Sequence, residues 1–409
     1  MPESKKPPID AAMDEPSFAD EDGAERHRWI LAKNARSRLD KYLQNRLKSI
    51  SRNQIQKLIA LGGVTVNAHL PKASTMLHKG DVVEVILPPR PVTELVPQPI
   101  PLDVVFEDEH LITVNKPSGL IVHPAKSHLS GTLLNALAYH FQNDKARKHE
   151  SVREGEPISS FSRIGIDETR PGVVHRLDMN TTGVIVIAKN DDTHWLLARQ
   201  FENRTCLKVY LAVVHGEPDH PTGAIDQPIG KHPTIREAMA VRHDSAGKQA
   251  LTLYRVRERY QGYSLLEVEI KTGRTHQIRV HLSYLGYPLA GDLLYGGDPI
   301  GSPELSDPPQ PAGARPHLNF ARDRTAGRKL EQQVADRTDM IMPTPALHAG
   351  LLRLNHPVTK ESLTFTAPVH EPMHRLIQEL RARPAQGPVA TNGLCINLER
   401  QEKGVERRS

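Results

Sequence analysis

Pro171-Gly-Val-Val-His-Arg-Leu-Asp178-Met-Asn-Thr-Thr-Gly183-Val-Ile-Val-Ile187 runs from a turn rich in polar groups straight into an apolar, β-branched stretch. The apolar half predicts a buried strand over 183–188. The polar half lies where a rigid scaffold presents side chains to a cleft, with Asp178 three residues after His175. Taken alone, the string favours a plainer role in which Asp178 and Asn180 bond turn backbone, as Asx residues do.

A second string has the same design. Leu266, Val268 and Ile270 alternate with Glu267, Glu269 and Lys271, which predicts a strand with one buried and one wetted face. It leads through Lys271-Thr-Gly-Arg274-Thr-His-Gln-Ile-Arg279-Val-His281 into a helix, where Arg274 and Ile278 share one side and Gln277 and His281 the next. Cations beside the free N–H groups of a helix start suit phosphate or carboxylate, although an exposed basic face is the commoner fate of such runs.

Around these strings, periodicity predicts further strands at 111–115, 207–214 and 249–256 and helices at 131–141, 192–203 and 275–285. Strands outnumber helices and their spacings favour hairpins, so the expected class is α+β with a mixed, mostly antiparallel central sheet flanked by helices over 102–381. Two stretches break the pattern, 143–170 and 298–345, and eight prolines in the second mark it as an insertion or surface loop.

At 409 residues the chain exceeds one core of about 100–200 residues. Its 38% hydrophobic content suffices for burial and excludes collagen, a disulfide scaffold and full disorder. Apolar runs stop at six residues, Gly183–Ala188 and Val209–Val214, well short of a membrane span or signal core, which predicts a cytoplasmic protein. Cys206 and Cys395 are too few for a disulfide framework or a thiolate metal site. The chain lacks the GxxxxGK[ST], GxGxxG, HExxH and GxSxG signatures, and its 21 histidines are scattered, so neither cofactor nor metal is expected.

The net charge of +5 averages over opposites. Residues 1–28 hold eight acidic and four basic side chains, and 1–35 is expected to be a disordered acidic segment. Residues 36–90 hold ten Lys/Arg against Asp40, Asp81 and Glu84, an excess of seven positive charges. There Leu39, Tyr42, Leu43, Ile50, Ile55, Leu58 and Ile59 predict helices over 37–47 and 51–61, followed by strands at 64–67 and 81–85. A linker with six prolines spans 88–101, of which 91–101 is assigned as inter-domain, and 382–409 is expected to be a disordered tail.

His175-Arg-Leu-Asp178 with Thr182-Gly183, Lys208-Val-Tyr210, Thr272-Gly-Arg-Thr-His-Gln-Ile-Arg279-Val-His281 and Gly291-Asp292 together resemble the ribosomal large-subunit RNA pseudouridine synthases of the RluA/RluD type. Leu111-Ile-Thr-Val-Asn-Lys116-Pro-Ser-Gly-Leu-Ile-Val-His123-Pro, Ala346-Leu-His348-Ala and Leu354-Asn-His-Pro357 also fit. The basic block 36–90 resembles the S4-like RNA-binding domain that often precedes this catalytic domain. Met179 and Asn180 depart from the family pattern, which has a basic or polar residue and then Asp after the catalytic aspartate.

The resemblance implies a cofactor-independent isomerase that converts uridine in RNA to its C-glycoside. It assigns Asp178 as the essential carboxylate, Arg279 as its ion-pair partner and Tyr210 as the surface against the uracil. Arg176 is implied as the group that fills the gap left by an extruded base, and His175, Lys208 and Arg274 as site support or phosphate contacts. Arg36, Arg38, Lys41, Arg46, Arg52 and Lys57 are the candidate RNA contacts of the basic block. The expected partner is RNA, 23S rRNA or a large-subunit precursor, acted on by a monomer. The competing readings are a non-catalytic rRNA-binding or ribosome-assembly factor on the same fold, and an aspartate-nucleophile hydrolase of a small substrate.

Overall fold

The structure, a computed structural model, describes residues 13–14, 18–19, 25–35, 37–47, 52–87, 95–123, 130–147, 172–302, 305, 338–383, 387–389, 395–396 and 404–408. The chain divides into two compact units, Met1–Glu94 and Leu95–Ser409.

In the first unit β1 (Glu25–Ile30), α1 (Leu39–Arg46), α2 (Arg52–Ala60), β2 (Val64–Val66) and β3 (Val82–Leu87) enclose one core. Leu39, Tyr42 and Leu43 of α1 and Ile55 and Ile59 of α2 sit at helical spacing and meet Val64, Val66, Val83 and Val85. β3 pairs antiparallel with both β1 and β2. Asp40 is fully buried on α1 and accepts hydrogen bonds from Arg38 Nη2 (3.1 Å), Arg52 Nη2 (2.8 Å) and Gln56 Nε2 (2.8 Å). Burial pushes its carboxyl upward, but the bonds from Arg52 and Gln56 and the charges of Arg38 and Arg52 outweigh this and hold it at about 2. One carboxylate thus ties α1 to α2.

The second unit contains β4 (Val104–Glu107), β5 (Leu111–Lys116), α3 (Leu133–Arg147), β6 (Thr182–Ala188), α4 (Asp191–Glu202), β7 (Leu207–His215) and β8 (Thr222–Asp226). It continues with β9 (Leu251–Tyr260), β10 (Tyr263–Ile270), α5 (Gln277–Tyr284), β11 (Leu347–Asn355), β12 (Ser362–Thr366), α6 (Glu371–Arg381) and β13 (Gly404–Arg408). The sheet runs β8-β9-β10-β7-β11-β6-β5-β4, with β12 branching from β11 and β13 pairing with β12. Every pair along that run is antiparallel except β6 with β11. β6 is buried throughout because helices cover both faces: Ile185 and Ile187 meet α3, and Val184 and Val186 share a cluster with Leu197 of α4. On β7 the same alternation sends Val209, Leu211 and Val213 into a cluster with Met373, Leu376 and Ile377 of α6 and turns Tyr210 to the other face.

The join between β6 and β11 needs glycine. Gly183 has φ +108°, and a β-carbon there would lie 2.3 Å from the carbonyl oxygen of Ala349.

The structure corrects three boundaries. β1 lies inside the 1–35 segment expected to be disordered: although four of its six residues are polar, it pairs along its whole length with β3 and buries Trp29 in the core. The expected tail 382–409 contributes β13, the pair Gly387–Pro388 with β9, and the amides of Cys395 and Ile396 donating to Glu267. The end of the linker is docked too, with Asn135 Nδ2 donating to the carbonyl of Val96. Of the 298–345 insertion, Ile300–Gly301 pairs with Met340–Met342, while 303–304 and 306–337 lie outside the described residues, as does 148–170 of the earlier break.

Removing the Asp40 carboxylate strips Arg52 and Gln56 of their acceptor. Asp40→Ala is expected to destabilise the first unit by about 2 kcal/mol, read by urea unfolding at Trp29 in a Trp195→Phe background; an unshifted midpoint would contradict the tie. Because the carboxyl is depressed, its contribution is whole above the unfolded-chain value of about 4 and is lost as pH falls through about 2.

Candidate active site

Asp178 sits on the turn before β6, closed by the Thr181 amide donating to the Asp178 carbonyl at 3.1 Å. Two groups stiffen this turn from below. Nε2 of His175 accepts the Val186 amide at 3.0 Å while its ring stacks on Phe201 at 4.6 Å. Burial and the charge of Lys208 push this imidazole down to about 3, so it is neutral and holds the turn rather than moving protons. Lys116, fully buried, donates to the carbonyls of Pro117 (2.8 Å), Leu120 (2.9 Å) and Met179 (2.8 Å), the last being the residue after Asp178. Burial pushes its amine down to about 7 against the opposing pull of the Asp178 charge.

Tyr210 reaches the same space from β7, and Arg279 and His276 reach it from the start of α5. Arg279 makes a bidentate pair with Asp292, both bonds at 2.7 Å, and its remaining Nη1 lies 3.5 Å from Asp178 Oδ2. The ring of Tyr295 covers its guanidinium at 4.8 Å. The pairing implied for Arg279 and Asp178 is therefore the weaker of two contacts. Asp292 anchors the cation and leaves one N–H edge facing Asp178. His276 Nε2 is 3.9 Å from the same carboxylate oxygen. Burial and the Asp178 charge both raise the Tyr210 hydroxyl above its ordinary value, which keeps it protonated.

His175, Arg176, Asp178, Lys208, Tyr210, Arg274 and Arg279 all line one cavity of about 680 Å³. Arg176 is exposed and donates to Thr275 Oγ1 at 2.9 Å, and Arg274 Nε donates to the carbonyl of Gln249 at 3.1 Å. Lys208 lies over the Phe201 ring at 5.9 Å, and burial lowers its amine. A carboxyl group and three cations on the wall of one cavity suit a polyanion whose reacting carbon is brought to Asp178.

The candidates of the basic block divide. Arg38 and Arg52 are committed to Asp40, Arg46 lies over the rings of Trp29 (5.7 Å) and Tyr42 (4.9 Å), and Lys41 is exposed. Arg36 and the Lys57 side chain lie outside the described residues. Among residues that spacing did not single out, Lys116, His276, Asp292 and Tyr295 belong to the site. Lys116, His276 and Asp292 stood inside the quoted motifs without roles, whereas nothing local marks Tyr295. Gln277 and His281, in contrast, are scaffold: Gln277 bonds Thr272, Leu251 and Thr252, and His281 bonds Thr252 and the carbonyl of Gln227. Among the described residues no group of three His, Cys, Asp or Glu is arranged to hold a cation, and no helix is long and apolar enough to cross a membrane.

Comparison with known proteins agrees with this geometry. Residues 110–284 match the RNA pseudouridylate synthase family and residues 37–83 match the S4 domain. A Bacillus subtilis protein named as an uncharacterized RNA pseudouridine synthase is 37% identical over 344 residues, covering 84% of this chain and 94% of that one. The ribosomal large subunit pseudouridine synthase D of Pseudomonas aeruginosa is 35% identical over 344 residues, 84% of this chain and 92% of its own. A chloroplastic RNA pseudouridine synthase 2 of Oryza sativa is 34% identical over 393 residues, 89% of this chain and 83% of its own. An S4 domain thus stands ahead of a mixed-sheet catalytic domain, and the chain belongs to the RNA pseudouridine synthase family as one of its enzymes.

Proposed function

We propose that this enzyme isomerises uridines of large-subunit (23S) rRNA to pseudouridine in the cytoplasm, as a monomer without cofactor, with Asp178 as the essential carboxylate. The observation that carries this reading is the convergence of Asp178, Tyr210 and Arg279 on one cavity that Arg176, Lys208 and Arg274 also line. The large-subunit target draws on the printed names of the Pseudomonas aeruginosa and Pasteurella multocida relatives.

Uridine must first leave its stack or loop to reach a recessed carboxylate. Phosphates on either side are held by the cavity's cations, with exposed Arg176 entering the space the base vacates. Asp178 then acts at the ribose, either as nucleophile at C1′ or as base at C2′. The N1–C1′ bond breaks with its electron pair staying on uracil. The base turns on the face of Tyr210, C5 bonds to C1′, and the proton lost from C5 is matched by one gained at N1. Arg279, anchored by Asp292, presents its remaining N–H edge to Asp178 at 3.5 Å.

Two outcomes test the reading. Asp178→Asn is expected to cut tritium release from RNA carrying 5-tritiated uridine by roughly 10³-fold or more while RNA binding persists; wild-type release from this variant ends the assignment. Deletion of residues 1–90 is expected to weaken rRNA binding and to flatten its dependence on salt, since each lost phosphate contact lowers the slope by about one. An unchanged slope across a salt series would remove the first unit from the interface.

A further inference from the structure

His276 has no role in the chemistry described above, yet its placement is tightly held. It precedes α5 in a left-handed conformation, φ 57° and ψ 21°, which a residue with a side chain adopts only where its surroundings fix it. Its two ring nitrogens face different groups. Nδ1 lies 2.7 Å from the hydroxyl of Tyr295, and Nε2 faces Asp178 Oδ2 at 3.9 Å across the cavity wall.

The hydrogen-bond count around Tyr295 decides the tautomer. Its hydroxyl oxygen already accepts the amide of Met239 at 2.9 Å. The one proton it carries is then free to point at Nδ1 of His276, and we take the ring to accept it there. A neutral imidazole that accepts at Nδ1 carries its proton at Nε2. The ring is neutral because burial lowers its basicity, with Arg279 and Arg176 adding to that and Asp178 and Asp292 opposing it. Tyr295 also packs edge-on against the imidazole at 5.6 Å and covers the Arg279 guanidinium, so the donor is locked in direction as well as in protonation.

The result is an N–H that points toward the catalytic carboxylate without closing a hydrogen bond to it, since 3.9 Å exceeds bonding distance. An oxygen lying alongside Asp178 would complete the contact. When the N1–C1′ bond breaks, the electron pair left on uracil spreads onto its two carbonyl oxygens, and the one flanking N1 lies nearest the carbon that Asp178 addresses. We propose that His276 is a catalytic hydrogen-bond donor, its Nε2–H held in that tautomer by Tyr295 and donating to the uracil O2 while the base is detached from C1′. The contact strengthens as charge develops and transfers no proton, so the atom balance of the isomerisation is unaltered. The proposal rests on the pseudouridine synthase reading with Asp178 at the ribose.

Two readouts on the full-length protein test it. In long-range proton–nitrogen spectra of protein labelled with 15N-histidine, the signals lost in His276→Gln identify this ring, and at pH 7.5 they are expected to show the Nε2–H tautomer. A ring protonated at Nδ1 would overturn the proposal whatever the protein catalyses. In tritium release, His276→Ala is expected to lower kcat about 100-fold with KM within about threefold. Gln places an amide N–H near the former Nε2 and is expected to recover at least tenfold of that loss. A His276→Ala enzyme within threefold of wild type, or a Gln variant no better than Ala at the same melting temperature, would overturn the donor role. Failure of the broader reading is separately visible, because Asp178→Asn would then release tritium like wild type while the imidazole spectrum still reported its tautomer.

Discussion

The parallel contact between β6 and β11 at Gly183 and Ala349 is the constraint on which the rest of the second unit turns. It inserts β11 between β6, whose leading turn bears Asp178, and β7, which bears Tyr210. The two strands are thereby held one strand apart, and Leu347 of the inserted strand lines the cavity between them. A side chain at position 183 would meet the Ala349 carbonyl and push the strands apart. A backbone approach distance in the sheet therefore also sets a distance within the candidate site.

Charge is handled in the same way in both units. Buried charge is shared among several partners: Asp40 takes two guanidiniums and an amide, and Arg279 is shared between Asp292 and Asp178. In the first unit the shared charge fixes two helices. In the second it fixes the direction of a guanidinium, and a tight bond on one side leaves a looser one facing Asp178. Lys116 differs: its buried amine, pushed down to about 7, donates to three carbonyl dipoles and so braces the Asp178 turn.

Much of this was legible in the sequence, and the limits are physical. The helices at 133–147, 191–202 and 277–284 and the strand from 263 follow local periodicity, and the strands from 182 and 207 follow uninterrupted apolar, β-branched runs. β11 was missed because it is buried on both faces through most of its length, leaving no alternation, and because Gly350 interrupts its apolar run. β13 was missed because its pairing partner is some forty residues away in the chain and nothing in Gly404-Val-Glu-Arg-Arg408 announces it. At the site, Asp178, Tyr210 and Arg279 stood out through quoted motifs. Tyr295 did not, since its importance comes from touching His276 and Arg279 at once, a property of three-dimensional neighbours.

The position of β11 also bears on how the protein emerges from its own synthesis. Strands β6 and β7 leave the ribosome early, but the strand that belongs between them follows only after the insertion has been made, on the order of ten seconds later at ordinary elongation rates. During that interval two apolar strand edges wait side by side without their bridge, and they must not pair with each other. At Gly183 the late strand must come close enough for its Ala349 carbonyl to stand 2.3 Å from where a β-carbon would be. A side chain at this one position would therefore bar the last-made strand from the gap left for it.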